Sequence, residues 1–85
     1  MKNIFFEDSA KKQFDDWKKQ DKKIFIKIVK LLNEIKETPF TGTGKPKPLR
    51  NELSGLWSRR INREHRLVYE VTDQSIVVIS CKFHY

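Results

Sequence analysis

Cysteine is nearly missing from this chain. Cys81 stands alone among 85 residues, which excludes an internal disulfide framework and fits a reducing compartment. Two histidines complete the set of soft metal ligands, and none of the three lies at ligand spacing, so no zinc or other metal site is expected. No apolar run approaches the length of a membrane span and no signal-peptide pattern is visible; a cytoplasmic protein without membrane contact is the expectation. Acidic residues are scarce relative to basic ones, 11 against 18, for a net charge of +7. That excess on a small domain favours an anionic partner, most simply nucleic acid. Apolar residues make up 38% of the chain, enough for one compact core, and residues 1–85 read as a single domain.

Three runs in the last third alternate apolar and polar residues with a period of two. They cover Leu56 to Ile61, His65 to Thr72 and Ser75 to Phe83, and the gaps between them are short enough for hairpins. Alternation groups Leu67, Tyr69 and Val71 on one face of the second strand. On the third it groups Val77, Ile79, Cys81 and Phe83 on the core side. The opposite face collects Arg66, Lys82 and His84, joined by Arg60 from the first strand. A solvated sheet face usually mixes charges; this one is cationic.

Upstream, Lys2 to Phe6 reads as a short strand. An acidic first turn then opens a helix that carries Ala10, Phe14 and Trp17 to about Lys19. Asp21 is a good N-cap for a second helix with a wide apolar stripe from Ile24 to Ile35. Its other face bears Lys22, Lys23, Lys27 and Lys30, a basic surface suited to RNA. Thr38-Pro39 ends it, because the residue before proline avoids the α region. Residues 40–49 (FTGTGKPKPL) form a loop, and their Gly-Thr-Gly-Lys lacks the spacing and the following helix of a phosphate-binding loop. The order β-α-α-β-β-β implies an α+β domain: a small antiparallel sheet with two N-terminal helices packed on one face. The other face is left open.

RNA cleavage without a metal or cofactor needs three things. The ribose 2′-hydroxyl must lose its proton, a fixed cation must stabilise charge on the phosphorus centre, and an acid must protonate the leaving 5′-oxygen. His84 suits the last role, Arg66 and Arg60 the second, and Tyr85 could stack on a base.

The blocks Gly44-Lys45-Pro46-Lys47-Pro48-Leu49, LSGLWSRRI at 53–61, EHRLVY at 64–69 and the terminal Cys81-Lys82-Phe83-His84-Tyr85 resemble the YoeB/Txe family of bacterial toxins, within the RelE-like group. The resemblance runs from the opening strand through Thr38-Pro39-Phe40 to the last residue. It implies a microbial-RNase-like fold and a toxin of a toxin–antitoxin pair. Such a toxin enters the A site of the 70S ribosome and cuts mRNA there. A cognate YefM/Axe-like antitoxin neutralises it, and a homodimer is also implied. On matching positions Arg66 stabilises the transition state, His84 is the general acid and Tyr85 positions the nucleotide. Lys47 takes the place of the base, and the RNA-contacting set comprises Lys45, Arg50, Arg59, Arg60, Arg63, Glu64, His65 and Lys82.

One position departs from the family pattern. Relatives carry glutamate in the G-K-P-E-P-L loop where this chain has Lys47. A solvated lysine is an ammonium at neutral pH and a poor base. That substitution favours a second reading, a catalytically weak or silent ribosome- or RNA-binding member of the family. A third, inhibition of a topoisomerase by the same fold, gives no role to the Arg66, His84 and Tyr85 set.

Overall fold

A computed structural model describes residues 2–83. Met1, His84 and Tyr85 fall outside the described residues, so the two terminal site residues are not placed. The described elements are β1 (Asn3–Phe6), α1 (Asp8–Gln20), α2 (Lys22–Glu37), β2 (Lys47–Pro48), β3 (Leu56–Arg60), β4 (Arg66–Val71) and β5 (Ser75–Ser80), with a 3-10 turn at Asn51–Leu53. The strands form one sheet in the order β1-β5-β4-β3-β2. The expected α+β class is found, and the sheet is mixed: β1 runs parallel to β5, and the remaining pairs are antiparallel.

The helices start and stop for local reasons. The Asp21 carboxylate accepts from the Lys23 and Ile24 backbone N–H groups, at 3.1 and 3.4 Å, which caps α2. The same residue ends α1, its N–H donating to the Trp17 carbonyl. Thr38 closes α2 ahead of Pro39. Ile28, Leu31, Leu32 and Ile35 of α2, with Ala10 and Trp17 of α1, pack on Leu67, Tyr69, Ile76 and Val78 of the sheet.

Two expectations about strands are corrected. The loop at 40–49 contains a two-residue strand: Lys47 pairs with Ser58 and Pro48 with Trp57. Proline is tolerated there because β2 lies at the sheet edge. The third long strand stops at Ser80 rather than Phe83, and its core residues are Ile76 and Val78 rather than Val77 and Ile79. Register sets this parity, since Val71 opposes Ile76 and Tyr69 opposes Val78, and opposed residues share a face. A bulge then pairs Val68 with Ser80 and breaks the alternation. Residues 76–79 are all apolar, so alternation alone could not choose between the two parities.

Cys81 is fully buried beyond the end of β5, and burial pushes its thiol up to about 12. At pH 8 only roughly one thiol in 10⁴ would be ionised, and the thiolate is the reactive form. Native protein is therefore expected to resist alkylation by iodoacetamide at pH 8 and to react fully in urea, as read by intact mass. Rapid native labelling would show that the segment after β5 opens readily.

Candidate active site

Adjacent residues on a strand point to opposite faces, so the Arg59-Arg60 pair is split by the sheet. Arg60 is exposed and directly opposes Arg66 of β4. One step along, Lys47, Ser58 and Val68 stand in register across β2, β3 and β4. Lys47, Ser58, Arg60 and Arg66 thus share the face turned away from the helices. Like charges directly opposite destabilise a sheet. Arg66 Nη1 and Ser58 Oγ are also shielded from solvent without a hydrogen-bond partner among the described residues. A buried unpaired polar group costs about 1–3 kcal/mol, more if charged. Two opposed arginines and two orphaned donors on one face suit a bound anion.

Arg59 faces the other way. The family resemblance implies a place for it on the RNA surface; the structure buries it completely. Its Nη1 donates to Glu34 Oε1 at 2.6 Å and to the Thr43 carbonyl at 3.2 Å. Nη2 donates to the carbonyls of Thr38 at 2.5 Å and Thr41 at 2.8 Å. Nε donates to the Tyr69 hydroxyl at 3.1 Å, which in turn donates to the Pro39 carbonyl at 2.7 Å. Burial raises the Tyr69 phenol above its ordinary value, which keeps that donor protonated. Every guanidinium nitrogen is thereby committed to β4, α2 or the 38–43 loop. Arg59 is a fastener for the loop that leads to Lys47. The signal in the sequence was its parity, shared with Trp57 rather than with Arg60.

Gly44 completes that attachment. Its carbonyl accepts from the Arg60 N–H at 2.7 Å, and its φ is +86°. A Cβ there would lie 3.0 Å from the Arg60 carbonyl oxygen and 3.2 Å from Arg59 Cβ, so only glycine lets the loop lie this close to β3.

His65 was also expected to contact RNA, and it too is buried. Its Nδ1 accepts from the Phe83 N–H at 2.8 Å, and its ring meets Trp17 edge-on with centroids 4.8 Å apart. Between β3 and β4, the Asn62 side chain accepts from the N–H groups of Glu64 and His65, which leaves Arg63 and Glu64 exposed on a tight turn. Lys45, Lys47 and Arg50 are exposed along the loop and the edge strand. Lys82 is half-buried, its Nζ 5.7 Å from the Trp17 ring and 5.3 Å from that of Phe83. The Phe83 carbonyl accepts from the Arg66 N–H at 2.9 Å, so the last described residue is seated at the arginine. Among the described residues no cluster of three His, Cys, Asp or Glu side chains could hold a metal ion.

Two helices on one side of a five-stranded mixed sheet, with Lys47, Arg60 and Arg66 on the other, define a small basic α+β domain of the RelE-like type. Residues 6–85 match the family model for the YoeB-like toxin of bacterial type II toxin-antitoxin systems. Toxin YoeB of Escherichia coli K12 is 50% identical over the full length of both chains. The structure of the YoeB dimer from Staphylococcus aureus superposes with a TM-score of 0.93 at 45% identity, covering 99% of this chain and 98% of that one. The YoeB–YefM complex from the same organism gives a TM-score of 0.91 at 43% identity, covering 100% and 99%. The chain belongs to the YoeB-like toxin family.

Proposed function

We propose that this toxin is a ribosome-dependent endoribonuclease that cuts mRNA in the ribosomal A site of the 70S ribosome. The observation that carries the reading is the opposed Arg60–Arg66 pair with a buried Arg66 Nη1 that has no hydrogen-bond partner among the described residues. A phosphodiester placed there relieves the repulsion and supplies the missing acceptor. In the reaction the ribose 2′-oxygen gives up its proton to solvent water and attacks the adjacent phosphorus. The bond from phosphorus to the 5′-oxygen breaks, leaving a 2′,3′-cyclic phosphate and a 5′-hydroxyl. Arg66 stabilises the charge that builds on the phosphoryl oxygens, and Arg60 adds to the same field. His84 protonates the departing 5′-oxygen and Tyr85 orients the nucleotide. Lys47, exposed and in register with Ser58, adds positive charge beside the phosphate. No metal enters these steps. Lys45, Arg50, Arg63, Glu64 and Lys82 supply further contacts to RNA. The setting is the cytoplasm.

The YoeB relative in complex with YefM supports a cognate antitoxin as partner, and the charge of the Arg60–Arg66 face suits acidic side chains from it. The YoeB dimer supports pairing with a second copy of this chain. Primer extension on an mRNA in a reconstituted translation reaction tests the activity: cuts are expected only when ribosomes are present. Absence of cuts with ribosomes bound would favour the second reading, a silent ribosome-binding member, which Lys47 alone recommends.

Lys47 yields its own prediction. Lys47→Glu is expected to raise the single-turnover rate near neutral pH by roughly 100-fold, the lower end of what a positioned general base supplies. The carboxylate would accept the 2′-hydroxyl proton, which an ammonium cannot. A slower Lys47→Glu protein, with a wild-type rate that climbs with pH through a step the variant lacks, would make Lys47 itself the base.

A further inference from the structure

The segment after β5 leaves the sheet yet has none of its backbone groups at Cys81 or Phe83 free. The Cys81 N–H donates to Gln13 Oε1 at 2.8 Å, and its carbonyl accepts from Trp17 Nε1 at 2.9 Å. The Phe83 N–H donates to His65 Nδ1 at 2.8 Å, and its carbonyl accepts from the Arg66 N–H at 2.9 Å. Three of the four partners are side chains, drawn from α1 and from the residue before β4. Phe83 itself has φ +60°, a left-handed conformation that a bulky residue holds only when its surroundings impose it. The residue is 61% exposed, so burial does not impose it. The hydrogen bonds do.

We infer that His65, assisted by Gln13 and Trp17, is a positioning residue that fixes Phe83 and so holds the Arg66 backbone, whose N–H the Phe83 carbonyl accepts, in its working position. The inference rests on the reading of Arg66 as the cation that stabilises the transition state. His65 touches no substrate: it is buried, its Nδ1 is taken by the Phe83 N–H, and its ring lies against Trp17. With Nδ1 accepting, the ring proton sits on Nε2. Arg66 follows His65 directly in the chain, so one backbone step couples the arginine to the socket that holds Phe83. A displacement of about 1 Å at a catalytic group can cost roughly 10²-fold in rate.

The test compares His65→Leu, which removes the acceptor, with His65→Asn, whose amide oxygen can stand near the position of Nδ1. Amide exchange at Phe83 is read by NMR in the free toxin. Single-turnover mRNA cleavage and ribosome affinity are read on the ribosome complex. For His65→Leu, faster Phe83 exchange and a cleavage rate lowered about 10–100-fold are expected at an affinity within about twofold of wild type. His65→Asn should restore both slow exchange and most of the rate. If His65→Leu fails to fold, Gln13→Leu, which frees the Cys81 N–H, is held to the same expectations. Unchanged exchange and cleavage in the leucine variant would overturn the inference, and so would loss of cleavage without rescue by asparagine. If wild-type toxin does not cleave at all, the functional reading falls, while exchange at Phe83 still decides whether the socket exists.

Discussion

Replacing Arg59 with leucine is expected to lower stability by about 3–5 kcal/mol, because it leaves several acceptors unpaired at about 1–3 kcal/mol each where they are buried. Arg59 is fully buried, whereas the side chain of Glu34 is 34% exposed, so the carboxylate would stay partly solvated after the change. The larger loss falls on the acceptors stranded with it: the carbonyls of Thr38, Thr41 and Thr43 and the Tyr69 hydroxyl. For a domain of this size a 3 kcal/mol loss lowers Tm by at least about 12 °C. Urea unfolding of the two proteins at pH 7 measures it; a difference under about 1 kcal/mol would show that water replaces the guanidinium. The network also has a pH signature. The Thr43 N–H, then the Thr43 hydroxyl and Arg59, hold the Glu34 carboxyl below the usual carboxylate range, against partial burial, which acts the other way. A carboxyl lowered by folding contributes stability that is complete above its unfolded value of about 4.3 and is lost as pH falls through the folded value. Glu34→Gln should therefore remove part of the acid sensitivity below about pH 4.3 and leave the slope above it unchanged.

Arg66→Ala should show the opposite pairing of effects. Cleavage is expected to fall by roughly 10²–10³, the cost of removing one donor aimed at developing charge. Stability should hold or rise. Arg66 opposes Arg60 across the strands, and its Nη1 has no partner among the described residues, so alanine removes a repulsion and an orphaned donor. Arg66→Lys keeps the charge and loses the planar fork, so an intermediate rate is expected. Single-turnover cleavage on programmed ribosomes, with thermal unfolding of the same samples, reads both quantities. An alanine variant that unfolds early and still cleaves would make Arg66 a structural residue and remove the anion site.

Arg59 and Arg66 differ in a way that composition hides. Both are arginines in strands of a basic protein, and the family resemblance implies RNA contact for both. Alternation within LWSRR already requires that one of Arg59 and Arg60 turn toward the helices. What alternation cannot supply is the guanidinium's partners, because Glu34 is 25 residues away and the Thr38, Thr41 and Thr43 carbonyls belong to an irregular loop. His65 repeats the lesson. A histidine in a basic turn reads as a surface contact until the segment after β5 folds back over it.

Local chemistry determined the helices, their boundaries at Asp21 and Thr38, the hairpin between Thr72 and Ser75, and the grouping of Arg60 with Arg66, because each depends on neighbours within a few residues or on strand period. The motif blocks likewise carried the family. Tertiary structure alone decided the parity of β5, where four consecutive apolar residues satisfy either register and pairing with β4 makes the choice. It also decided the two-residue edge strand at Lys47, the burial of Arg59 and His65, and the seating of Phe83 at Arg66. The Arg59 network and the seating of Phe83 depend on groups between 10 and 25 residues apart being brought within hydrogen-bond range, and no local pattern encodes such a distance.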